Sequence, residues 1–204
     1  NAAFKSSMPD VFYIDSAIRR VQSDTVLKQQ YTFMTAKVVN NTTNRRSNYL
    51  TLNRGSLQGV QPAMGVICPD GIVGIVKDVS EHYCSVISFL HKDSRISARL
   101  KKTNFIGSMV WDGFDATHGR LNDIEKHVKV SKGDTIITTS FSSIFPEGIL
   151  IGVVESVNPT SNSTFQDITI RLSTRFGSLS YVYIVSNLLK DEQQALEEPL
   201  KNDR

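Results

Sequence analysis

The side chains best equipped for chemistry are His82, His91, His118 and His127, the thiols of Cys68 and Cys84, and the serines of Thr139-Ser140-Phe141-Ser142-Ser143. No two histidines form HExxH or another close pair, and the cysteines stand sixteen apart without a Cys/His ligand spacing. A zinc site, whether catalytic or structural, is therefore not expected. Phosphate-binding and nucleophile-elbow patterns (GxGxxG, GxxxxGKS or GxxxxGKT, GxSxG) do not occur. One set has the chain order of a trypsin-like serine hydrolase: His91, Asp93 and Ser140. Ser140 lacks the flanking glycines that let backbone N–H groups form an oxyanion turn. His91 and Asp93, two residues apart, are too close for the roles of base and orienter on that fold. No pair of carboxylates stands out as an acid/base couple. The expectation is no catalytic residue, no metal and no cofactor, with an active or degenerate trypsin-like hydrolase as the alternative.

The elements that would position these residues are β-strands. Of 204 residues, 40% are hydrophobic and 21% charged, the balance of an ordered chain. Val, Ile and Thr supply 51 residues against 22 for Ala and Leu, and branching at Cβ favours a pleated surface over a helix. The net charge of +3 is mild, and the basic residues Arg45-Arg46 and Lys101-Lys102 are too dispersed for a nucleic-acid groove. Cys68 and Cys84 sit in apolar β-like runs and read as small buried hydrophobes, with their pairing left open. No apolar run approaches the ~20 residues a membrane-spanning helix requires.

Residues 1–30 form the first unit, opening with Asn1-Ala2, which reads as a vector scar on a trimmed fragment. Val11, Ile14, Ile18 and Val21 recur at spacings of three and four, the seam of a short amphipathic helix. A helix this short must pack on something. It either lies on the domain's own surface or is the stump of a longer coiled coil. After Gln30 come short strands separated by turns: 31–39, 48–52, 64–68, 72–79, 84–90, 95–100, 105–111, 134–138, 149–157, 168–172 and 181–185. Pro69-Asp70-Gly71 predicts a tight hairpin.

An internal echo sets the organisation. Pro69-Asp70-Gly71-Ile72-Val73-Gly74 returns 77 residues later as Pro146-Glu147-Gly148-Ile149 with Gly152 following. Two copies of one unit imply two similar modules, each the size of a small barrel. The expected fold is all-β, with two tandem barrels of about six strands behind the N-terminal helix. The boundaries expected are 31–103 and 104–187, with strands free to cross between them, then a polar tail over 188–204. Ile144 and Phe145, held extended before Pro146, either plug the end of the second barrel or form an exposed docking knob. Trp111–Phe114 and the pair Tyr83 and Phe89 leave the same two readings open.

Several stretches resemble the MreC cell-shape-determining family. They are Asn53-Arg54-Gly55-Ser56, Met64-Gly65-Val66-Ile67, Gly71-Ile72-Val73-Gly74, Gly107-Ser108, Gly133-Asp134-Thr135 and Phe145-Pro146-Glu147-Gly148-Ile149, with Ile151-Gly152 after it. The ordered set, from about residue 36 to 185, carries the likeness. The resemblance implies a single-pass inner-membrane protein with this region in the periplasm, built from a coiled coil and two β-barrels. It implies a non-enzymatic scaffold of the cell-wall elongation machinery that maintains rod shape by binding and positioning peptidoglycan-synthesis proteins. The implied partners are MreD, MreB, RodZ and the class B penicillin-binding transpeptidase of elongation, together with further copies of itself as a dimer or filament. Val11, Ile14, Ile18 and Val21 are the expected self-association seam. Tyr83, Phe89, Trp111 and Phe114 are the expected partner-binding aromatics, because such residues dominate binding hot spots.

Overall fold

A computed structural model describes residues 30–158 and 164–201. The seam Val11, Ile14, Ile18 and Val21 lies outside the described residues. Among the described residues the chain forms two closed antiparallel barrels. The first uses β1 (Tyr31–Asn41), β2 (Ser47–Leu52), β3 (Gly65–Cys68), β4 (Gly71–Val79), β5 (Cys84–His91) and β12 (Tyr181–Asn187). The second uses β6 (Arg95–Leu100), β7 (Ile106–Val110), β8 (His118–Asn122), β9 (Thr135–Thr138), β10 (Leu150–Asn158) and β11 (Asp167–Leu172). Closure leaves neither sheet an open edge.

The strand order around the first barrel is β1-β12-β3-β4-β5-β2, and around the second β10-β11-β8-β7-β6-β9. These rings superimpose when the β3–β4 hairpin is matched to β9–β10, β5 to β11 and β12 to β6. The 77-residue echo is therefore the central hairpin of each barrel. Gly74 and Gly152 occupy matching places in it, and a Cβ at either would lie 2.1 Å from the Ile87 carbonyl oxygen or 2.3 Å from that of Arg171. Only a glycine lets the neighbouring strand approach that closely.

The boundary expected at 103/104 is corrected. Strand β6 belongs to the second barrel, and β12 returns to complete the first, between β1 and β3. The second barrel is thus inserted between the fifth and sixth strands of the first. Val182 and Ile184 point inward with Val66 and Val86, so the alternation of β12 fits that slot. Periodicity shows that a segment is a strand but not which edge it completes. Strand β8 is absent from the sequence reading because His118-Gly119-Arg120-Leu121-Asn122 contains one strong apolar residue. The polar tail contains a helix, α1 (Lys190–Lys201). Cys68 and Cys84 are buried and unpaired.

A charged trio ties the second barrel together outside its core. His118 Nδ1 bonds Asp115 Oδ2, and His118 Nε2 bonds Glu155 on β10, one strand beyond its neighbour β11. Thr117 donates to Asp115 through both its N–H (2.8 Å) and its hydroxyl (2.7 Å). The hydrogen bond from His118 holds the Asp115 carboxyl at about 2, below its usual 3.8. Its bond to Asp115 lifts His118 above the usual 6.5. Stabilisation from the histidine is complete below the unfolded pKa of 6.5 and vanishes as pH rises through the higher folded value. That from Asp115 is complete above 3.8 and vanishes as pH falls through about 2. Both contributions are therefore whole only in the window from about pH 4 to 6.5. His118→Ala should lower the midpoint of thermal unfolding clearly at pH 5.5 and much less at pH 9. Equal losses at the two pH values would remove charge pairing as the cause.

Candidate functional site

Two regions carry the expected functional residues: the joint between the barrels, and the loops that keep aromatic side chains in solvent. The joint begins with Gly65. On the outer face of the first barrel, Ile75 and Val185 stand directly opposite Gly65 on the strands to either side. The missing side chain leaves a notch between them. The ring of Phe145 fills it, with Cδ1 and Cε1 each 2.9 Å from where a Cβ on Gly65 would sit. Phe145 is buried, so the exposed-knob reading of Ile144-Phe145 is corrected. Its ring meets the other barrel as well as the core of its own.

The loop holding Phe145 is fixed from below by Thr138, a buried residue on β9. Its hydroxyl donates to Pro146 O at 2.6 Å and accepts from Ile149 N–H at 2.9 Å. Arg99 on β6 pairs with Glu147 in the same loop. Further ties cross the joint. Thr174 Oγ1 donates to Ile72 O at 2.7 Å, Asn41 Nδ2 to Phe176 O at 2.6 Å, and Asn187 Nδ2 to Ser143 O at 3.0 Å. Phe89 stacks on Phe176 with ring centroids 6.5 Å apart. A single apolar cluster consequently runs from the interior of the second barrel to the outer face of the first, through Tyr31, Ile67, Ile72, Phe89 and Val185. Thr138, Thr174 and Phe176 were missed in sequence because the groups they meet lie on other loops and strands.

Among the expected partner-binding aromatics the structure divides the set. Tyr83 is 51% exposed in the β4–β5 turn, and Phe114 is 85% exposed in the β7–β8 loop. Phe89 is 0% exposed and Trp111 4%, so their assignment to an exposed surface is corrected. Phe89 is buried because Phe176, in the link between β11 and β12, stacks on it, whereas Tyr83 sits in the turn before β5 and stays in solvent. Trp111 donates its indole N–H to Asp115 O at 2.8 Å and packs in the second core.

The other motif residues shape these loops. A Cβ on Gly55 would meet Ser80 O at 2.2 Å, so the turn after β2 lies flat on the β4–β5 turn. Leu57 N–H then donates to Glu81 O at 3.3 Å, which brings exposed Leu57 to the same end of the barrel as Tyr83. Asn53 Oδ1 accepts from Lys37 N–H at 2.7 Å. Asp134 Oδ2 accepts from Ser131 N–H at 2.8 Å, beside Gly133, whose N–H donates to Val154 O. Gly71 at the β3–β4 turn abuts Leu150 O of the second barrel, Gly107 abuts Asn122 O, and Gly148 turns the chain into β10 with φ +88.

The hydrolase alternative finds no support. His91 Nδ1 accepts from Asp93 N–H at 3.1 Å, so the neutral ring carries its proton on Nε2, 3.1 Å from the Tyr49 hydroxyl. Both nitrogens are engaged, and burial pushes the ring below the usual histidine range with Asp93 opposing. Ser140 is exposed on the other barrel. Burial lifts the Cys84 thiol to about 11 and raises Cys68 also, so neither supplies a thiolate at neutral pH. Among the described residues no group of three His, Cys, Asp or Glu side chains is placed to hold a metal.

Phe145→Ala should cost about 3–5 kcal/mol in denaturant unfolding, as a cavity at a site fully enclosed on both sides. Gly65→Ala, which forces the same ring out of its notch, should cost about 1–3 kcal/mol. If both variants unfold like the parent, the joint contributes nothing to stability.

Comparison with known proteins agrees with this geometry. The family model for the rod shape-determining protein MreC, barrel core, matches residues 38–186. The cell shape-determining protein MreC of Listeria monocytogenes is 25% identical over 162 residues, 77% of this chain and 54% of that protein. The chain spans about half the length of the curated relatives it matches. The crystal structure of MreC from Pseudomonas aeruginosa superimposes with a TM-score of 0.70 at 16% identity, over 74% of this chain and 97% of that one. MreC of Helicobacter pylori, solved in complex with the penicillin-binding protein PBP2, gives 0.60 at 16% identity, over 78% and 100%. With the family's barrel core matched from β1 to β12 and two closed six-stranded barrels formed by the same residues, the chain belongs to the MreC family.

Proposed function

We propose that this chain is a non-enzymatic scaffold of the cell-wall elongation machinery, acting outside the cytoplasm by holding and orienting its partners. The observation that carries the reading is the joint of two edge-free barrels, locked by Phe145 on Gly65, with Leu57, Tyr83 and Phe114 exposed on its loops. Closed barrels cannot recruit a partner by adding a strand. Recognition then falls to projecting side chains such as Tyr83, Leu57 and Phe114. The engagement of both His91 ring nitrogens in structural bonds favours binding over turnover.

The class B penicillin-binding transpeptidase of elongation is the first partner proposed. The Helicobacter pylori relative in complex with PBP2 supports it. A partner that prefers one posture of the transpeptidase shifts its equilibrium toward that posture, so a rigid platform is enough to regulate it. MreD, MreB and RodZ belong to the same reading through the family. No helix among the described residues is long and apolar enough to cross a membrane. A single membrane-spanning helix outside this region, with the barrels in the periplasm, is part of the proposal. Self-association through Val11, Ile14, Ile18 and Val21 would add avidity to weak contacts between anchored copies.

Tyr83→Ala combined with Leu57→Ala and Phe114→Ala should weaken transpeptidase capture about tenfold or more while leaving thermal unfolding unchanged. Phe89→Ala should instead lower stability. Unaltered affinity in the triple variant, measured by surface plasmon resonance, would remove these side chains from the contact. Ile18→Asp should reduce the self-association seen by sedimentation equilibrium, and an unchanged mass would exclude the seam.

A further inference from the structure

We infer that the far end of the second barrel is a docking surface for helix α1 of a second copy of this chain. That end is built by the turn from β6 to β7 and the loop from β8 to β9. Phe105 and Ile106 stand on it 43% and 45% exposed, with Lys101 and Lys102 exposed beside them. The Phe105 ring meets the His127 imidazole edge to face with centroids 5.9 Å apart, and His127 Nδ1 pairs with Glu125 at 2.9 Å. Lys101 N–H donates to Thr135 O at 2.9 Å, and Gln166 Nε2 donates to Glu125 O and Val128 O, each at 2.8 Å. The surface is therefore held in shape before anything binds.

Residues 101–105 and 123–134 carry five lysines against three acidic residues. An apolar patch among lysines fits an acidic segment with an apolar side chain of its own, and α1 is such a segment. It holds four acidic residues against two lysines, and its Leu196 is 75% exposed. Glu192 lies one turn before Leu196 on the same face, and Glu197 lies next to it, both exposed. The twelve residues of α1 are also too few for a helix to be stable in water without packing. Docking covers Leu196 with Phe105 and Ile106 and sets Glu192 and Glu197 beside Lys101 and Lys102.

A chain cannot make this contact with itself. The root of α1 is held at the joint, where Asn187 Nδ2 donates to Ser143 O at 3.0 Å and Lys190 Nζ to Ala63 O at 3.4 Å. Strand β6 carries the second barrel from its joint end at Arg95 to its far end at Leu100, about 17 Å away. Leu196 stands only about 10 Å along the helix from Leu189 and falls short. One copy's helix on the next copy's barrel is a head-to-tail contact, which leaves an unused surface at each end and adds copies in open rows. The contact stands apart from the scaffold reading, since it uses neither the aromatic loops proposed for the transpeptidase nor the N-terminal seam.

The test mixes two full chains, one carrying Ile106→Cys and the other Leu196→Cys, under mild oxidation with the buried Cys68 and Cys84 left in place. The expected product is a covalent dimer whose disulfide joins position 106 of one chain to position 196 of the other. Gln194→Cys in place of Leu196→Cys, about 160° around α1, should give at least about fivefold less. Lys101→Glu with Lys102→Glu should suppress the link by about the same factor, and Glu192→Lys with Glu197→Lys on the partner chain should restore it. No link, equal yields at 194 and 196, or indifference to the charge reversal would each overturn the inference. So would suppression without rescue, or a link at monomer mass when one chain carries both cysteines.

Discussion

The contact of an aromatic ring with bare backbone organises this molecule. Phe145 rests on Gly65 because the strand there has no side chain, while Ile75 and Val185 on either side form walls to the notch. Packing of this kind tolerates little displacement, since interiors are as dense as crystals of small molecules. The polar ties around it set the angle as well as the distance. Thr138 holds the loop from below, while Thr174, Asn41 and Asn187 each donate across the joint to a carbonyl. Two barrels joined this way hold their loops in a fixed relation to one another.

The topology reinforces the joint. Because the second barrel is inserted before the last strand of the first, the first barrel cannot close until β12 arrives. The chain ends that flank the barrels are thereby gathered at one rim, at Gln30 and Leu188. A tandem arrangement without insertion would have sent the C-terminal segment away from the far module. The two flanking segments thus meet the barrels at a single place.

The residues with chemical potential are spent on structure. His91 completes a bonded group with Tyr49 and Asp93, and His118 bridges Asp115 and Glu155. Each occupies a place where a backbone turn or a strand two removed must be tied down. The free thiols fill core volume. A satisfied network of this kind fixes geometry without reacting.

The sequence by itself determined the class of fold, the existence of two similar modules and the hairpin at the centre of each. Those properties follow from local facts: β-branching, alternation, and the Pro-x-Gly turns at Asp70 and Glu147. It also marked Gly65, Gly74, Gly152 and Phe145 as residues of note through family likeness. What they do was not legible. The notch of Gly65 exists only because β4 and β12 flank β3, and that neighbourhood joins residues more than a hundred positions apart. Distance along the chain likewise hid the swap of β12 into the first barrel and the burial of Phe89 beneath Phe176. Periodicity is a property of a single strand, whereas edges, notches and joints are properties of pairs of strands, so tertiary structure alone decided them.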